Sequence, residues 1–109
     1  MRMQMEVLTE RLVFINRTID HAQRACLRDA KAPAELRQYV GQMGLHSWQM
    51  QRALQARDET EVRERVKDLA RICSRAQQVI RPADGMDYAL RSAVILTHIE
   101  LAALQHQLN

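Results

Sequence analysis

Turn-forming residues are scarce in this chain, which has three glycines and two prolines among 109 residues. A sheet of several strands needs turn chemistry at short intervals, and this composition does not supply it. Few, long helices fit it instead. Aromatic side chains make up 4% of the chain, so aliphatic residues and methionines must pack any core. Lysine occurs only at Lys31 and Lys67, so the basic residues are nearly all arginine. The formal charge is +3, a mild excess that favours anions without demanding nucleic acid. Cysteine occurs twice, at Cys26 and Cys73, both at apolar positions. That usage fits small hydrophobes in a reduced compartment, with no disulfide. Long apolar runs are missing as well. The apolar stretch 92–99 is too short to span a bilayer. Residues 1–12 carry Arg2, Glu6, Glu10 and Arg11, so no signal-peptide core forms there. The expected location is the cytoplasm.

What the chain does have is a regular apolar stripe. In the first half it reads Leu8, Leu12, Ile15, Ile19, Ala22, Cys26, then Leu36, Val40, Met43, Ser47, Met50, Leu54. In the second half it reads Val62, Val66, Leu69, Cys73, Ala76, Ile80, then Leu90, Val94, Thr97, Leu101, Leu104, Leu108. The steps alternate between four and three, the spacing of one helix face in a heptad-like seam. The two halves keep a constant offset, and identities recur at it. Glu10, Arg17, Gln23, Arg37 and Gln51 recur as Glu64, Arg71, Gln77, Arg91 and Gln105. The expected fold is therefore all-α: a single domain over 1–109, built as an antiparallel four-helix bundle from two pseudo-repeated helical hairpins, 8–54 and 62–108.

The spacing predicts helices over about 3–28, 33–56, 58–80 and 84 to the C-terminus. Pro33 suits a first helical position, where its missing N–H costs nothing. Asp58 with Glu61 reads as a capping box. Arg81-Pro82 stops the third helix, and Asp84 is the expected cap of the fourth. Helices of this length span roughly 33–39 Å.

Two of these helices carry a second apolar line, away from the stripe. In the fourth it is Tyr88, Ile95, Ile99 and Ala102; in the second it is Gly41, Leu45 and Trp48. One stripe suffices to bury a helix in a four-helix bundle, so a second line implies a further neighbour. These seven residues are the expected contact surface, closing a homodimer or receiving a partner helix, with Trp48 as anchor. Gly41 and Gly44 in one turn point to a close backbone approach or a bend.

No catalytic or metal-binding constellation stands out. The histidines His21, His46, His98 and His106 lack the one-turn ligand spacing of metal-binding bundles. Ser47, Ser74 and Ser92 lie in no Gly-flanked turn, and no Gly-rich phosphate loop is present. A histidine-phosphotransfer domain is an alternative of the same size and class. Such domains place a Lys and a Gly just after the reactive histidine. Here His21 is followed by Ala22-Gln23-Arg24-Ala25, and His46 by Ser47-Trp48-Gln49-Met50. A weak anion or nucleic-acid role for the arginine flanks, Arg17, Arg24 and Arg28 or Arg71 and Arg75, is a second alternative. Too few aromatics are present for base stacking. The expectation is a non-enzymatic interaction or scaffold protein with no cofactor, no metal and no small-molecule substrate.

Overall fold

The computed structural model describes residues 5–80, 85 and 87–108. It contains four helices: α1 (Met5–Arg28), α2 (Ala34–Gln55), α3 (Glu59–Gln78) and α4 (Tyr88–Leu108). They pack in a closed ring in which α1 touches α2 and α4, and α3 touches the same two. Neither α1 and α3 nor α2 and α4 meet among the described residues. This is bundle packing, with every helix turning one face inward.

The stripe is that inward face. Leu12, Leu36, Met43, Leu69, Leu90 and Leu101 are completely inaccessible, and so is Cys73. The stripe frays only at its ends, where Leu54, Ile80 and Leu108 are half-buried against the core. Small residues off the stripe complete it: Ala25, Ala53 and Ala93 are buried between neighbouring helices. The buried hydroxyls are satisfied, as burial requires. Thr18 and Thr97 donate to the carbonyls of Phe14 and Ala93, at 3.0 and 2.7 Å. Ser47 donates to Asn16 Oδ1 across the α1–α2 contact, at 2.6 Å.

The helix ends are set by local chemistry. Asp58 caps α3 by accepting the Glu61 N–H at 3.1 Å. The return half of a capping box does not form: the Asp58 N–H donates to Ala53 O instead, and the Glu61 carboxylate pairs with Arg65 at 3.0 Å. Pro33 stands one position before α2 rather than inside it, with ψ at 146°. Its carbonyl still accepts the first helical bond, from Arg37. For α4, the expected cap Asp84 lies outside the described residues. Asp87, just before α4, does this work by accepting the Ala89 N–H at 3.3 Å. The expected Arg81-Pro82 stop also lies outside them. α3 ends at Gln78, with Val79 as its C-cap.

Between α2 and α3 the chain closes through paired bonds from Arg57 N to Leu54 O and Asp58 N to Ala53 O, both 3.0 Å. That pairing puts a left-handed residue between them, and Arg57 supplies it at φ 55°. A side chain there is strained and glycine is not. Arg57→Gly is expected to raise unfolding free energy by about 1 kcal/mol. Urea titration checks it, and a destabilised variant would contradict it.

Asp29 ties two connections together. Its carboxylate accepts the Lys31 N–H at 2.9 Å and the Asp87 N–H at 2.7 Å. These bonds, chiefly the one from Asp87, hold its pKa below the ordinary 3.8, helped by the nearby Arg37 and Lys31 charges. A carboxylate whose folded-state pKa is depressed stabilises above the ordinary value and stops doing so as pH falls through the folded value. Thermal stability should therefore drop below about pH 4, and Asp29→Asn should flatten that part of the drop. Melting curves of both proteins across this window check it. An unchanged profile would remove Asp29 from the account.

Candidate partner-binding surface

The four helices differ in what they turn outward. α3 is polar outside, with Arg63, Arg65 and Arg71 each paired to an acidic neighbour one turn away, at 3.0–3.8 Å. Charge in that arrangement is a solvated helix surface. α4 is the opposite. Its charged residues are Arg91 and Glu100, both half-buried on its flanks. The outward line between them reads Ala89, Ser92, Leu96, Ile99, Ala103 and His106. Ile99 is 55% exposed and Tyr88 78%, and Leu96 is also exposed. A helix with apolar residues outside as well as inside is normally enclosed, and among the described residues α4 touches only α1 and α3.

The expected contact residues lie on two separate surfaces. Tyr88, Ile99 and Ala102 are exposed on α4, with Ile95 half-buried beside them. Gly41, Leu45 and Trp48 are exposed on α2, which does not touch α4. The structure thus does not bring the two lines together. On α2, Trp48 is 56% exposed and lies flat under Arg52, whose guanidinium carbon is 5.0 Å from the ring centre. The glycines separate too. A side chain at Gly44 would strike Gln23, so the close approach there is internal, between α1 and α2. A side chain at Gly41 would meet nothing within 4 Å.

Sequence reasoning missed one feature of the α1–α4 side. Phe14 and Leu96 flank a groove of about 660 Å³, floored by Thr18, Ala25 and Ala93. Arg17, His21, Arg24 and Arg28 stand along it. Phe14 is 45% exposed. Its signal in the sequence was its place in step with Val7 and His21, seven residues either side. Of the groove arginines, Arg24 pairs with Asp20 at 3.1 Å, while Arg17 and Arg28 make no ion pair among the described residues.

The thiols are buried and unpaired. Cys73 donates to Val94 O at 3.6 Å, and burial pushes its pKa up to about 12. Burial also raises that of Cys26, against the opposing pull of Arg37. Both shifts favour the protonated thiol over the thiolate. Among the described residues no three His, Cys, Asp or Glu side chains converge to hold a metal ion. No described helix is long and apolar enough to cross a membrane. Comparison with protein-family models, curated proteins and solved structures returns no match.

Proposed function

We propose that this is a non-enzymatic interaction protein that works by helix-on-helix association, with the outer face of α4 as its principal contact. The observation that carries this is an uncharged line of α4, centred on Leu96 and Ile99, in the open between flanks that carry Arg91 and Glu100. The exposed Trp48 and Leu45 on α2 form a second, smaller contact, and Trp48 is an energetic anchor for whatever docks there. The occupant is a second copy or a partner helix laid along α4.

The reading assumes two antiparallel hairpins, 8–54 and 62–108, as pseudo-repeats. Support comes from pairings that run in opposite directions along each pair. Leu12 meets Gln51 and Asn16 meets Ser47 in the first. Arg63 meets Leu108 and Cys73 meets Val94 in the second.

Changing Ile95 and Ile99 to Glu together should leave helicity intact, because neither is in the core. It should abolish association by light scattering at micromolar concentration, and release proteins retained by the tagged wild-type chain. A variant that matches wild type in both measurements would sink the reading. The phosphotransfer alternative keeps one observation, an exposed His21 beside Arg17 and Arg24. Acid-labile phosphate after incubation with acetyl phosphate, lost in His21→Ala, would favour it instead.

A further inference from the structure

One row of α1 is basic and lacks its counter-charge. From the exposed Phe14 it steps by three, four, three and four through Arg17, His21, Arg24 and Arg28. Those steps keep a single line along a helix. All four basic residues are exposed, and together they form the α1 wall of the α1–α4 groove. The facing wall is Ala89, Ser92, Ala93 and Leu96, none of them charged. No acidic side chain is among the described residues that line the groove. Arg17, His21 and Arg28 make no ion pair among the described residues, and Arg24 has only Asp20, at 3.1 Å. Both members of that pair are largely open to water, where such pairs hold weakly. α3 shows the contrast, since Arg63, Arg65 and Arg71 each hold an acid one turn away.

The layout of the row selects what fits it. At 1.5 Å per residue, Arg17 to Arg28 covers roughly 16 Å. A single phosphate or carboxylate is held by donors that converge on one point, and this row is strung out. Small-molecule pockets enclose most of their ligand, whereas these four side chains stand open to solvent. A single nucleic-acid strand is held by aromatic platforms, and Phe14 is the sole aromatic side chain among the described residues lining the groove. A second helix laid in the groove meets the row at every point. Residues on it at steps of four, three and four rise through the same heights. Each guanidinium, and an N–H of the His21 ring, then has a carboxylate at its own level. The floor of Thr18, Ala25 and Ala93 is made of small side chains, which let a helix ridge sit close. Phe14 and Leu96 offer apolar surface to the line beside the carboxylates.

We infer that the α1–α4 groove receives an acidic amphipathic helix of another protein, with carboxylates at steps of four, three and four against Arg17, His21, Arg24 and Arg28. The inference goes beyond the interaction reading above. It shares Leu96 with the outer line of α4 but is set by α1, and neither Ile95 nor Ile99 lines the groove.

The probe is a labelled synthetic helix with four glutamates at those steps and leucines on the adjacent line. Its control has the same composition in scrambled order. Fluorescence anisotropy on the full chain at low salt reads binding, and circular dichroism confirms that each variant folds. The ordered peptide should bind at least about tenfold more tightly than the scrambled one, and salt should weaken it. Arg17→Glu/Arg28→Glu, both at exposed positions, should weaken it about tenfold or more. A peptide with lysine at its two outer charged positions should prefer that variant to wild type. Ser92→Trp, which fills the groove without changing charge, should weaken the ordered peptide too, a loss that charge attraction alone does not produce. Equal binding of ordered and scrambled peptides, or indifference to Ser92→Trp, would overturn the groove as a helix seat. No peptide binding up to about 1 mM would overturn it as well. Tripolyphosphate or phosphatidylserine vesicles that bind in the peptide's stead, and are lost with Arg17→Glu/Arg28→Glu, would give the row to phosphate chemistry. The α4 reading is decided separately. A peptide that fails leaves it standing, and an Ile95→Glu/Ile99→Glu chain that associates like wild type sinks it while leaving the groove in place.

Discussion

Leu101→Asp is expected to unfold the protein. Leu101 is completely buried at the middle of α4's inward stripe. Removing its side chain forfeits about 1.5–3 kcal/mol of apolar burial. The carboxylate that replaces it has no basic side chain within the core, where Leu69, Met43 and Leu12 are also inaccessible. An unpaired buried charge costs several kcal/mol more, or forces the group to protonate. The sum approaches the whole stability of a small domain, about 5–15 kcal/mol. Far-ultraviolet circular dichroism should show the helical signal lost or its melting transition abolished. Leu101→Ala, which leaves a cavity without a charge, should remain folded and lose about 2–5 kcal/mol. A Leu101→Asp protein that melts like wild type would contradict the placement of α4.

Arg37→Ala should cost about 2–4 kcal/mol although little apolar surface is removed. Arg37 binds the connection that follows α1. Its guanidinium donates to the Cys26 carbonyl at 2.8 Å, to the Ala32 carbonyl at 3.3 Å and to the Asp29 carbonyl. Cys26 is in the last turn of α1, where carbonyls lack helical partners. A cation there also opposes the negative end of the helix dipole. Truncation leaves these acceptors unpaired and partly shielded from water. Arg37→Lys should recover little, because one ammonium cannot serve three divergent carbonyls as the planar fork does. Guanidinium titration measures both. A loss under about 0.5 kcal/mol for Arg37→Ala would reduce the contact to an incidental one.

The core was legible in the sequence because it is periodic. A step of three or four is the footprint of one helix face, and Leu12, Leu36, Leu69 and Leu101 all fall on it and are all buried. The α3 cap at Asp58 was legible for a related reason, since its signal spans three residues. Arg37 was not legible. It recurs as Arg91 in the second half, but no periodicity announces that a side chain will turn back onto preceding carbonyls. The Asp29–Asp87 bond joins residues far apart in the chain, so nothing local foretells it. The second apolar lines were visible as exposed apolar residues. Their separation was not, because it depends on which helices end up diagonal in the ring. Phe14 was overlooked because it lies off the main stripe, in step only with Val7 and His21, and its place beside Leu96 in the α1–α4 groove is what gives it a context.

The account's central claim is that the outer face of α4 is covered in the working form of the protein. The most direct measurement is the melting temperature as a function of protein concentration, for wild type and for Ile95→Glu/Ile99→Glu. Association that stabilises the folded chain makes its melting temperature rise with concentration. Wild type should therefore melt higher at about 100 µM than at about 1 µM, and the double variant should melt at one temperature throughout. A wild-type melting temperature independent of concentration, and equal to that of the variant, would contradict coverage of this face by a second copy of the chain.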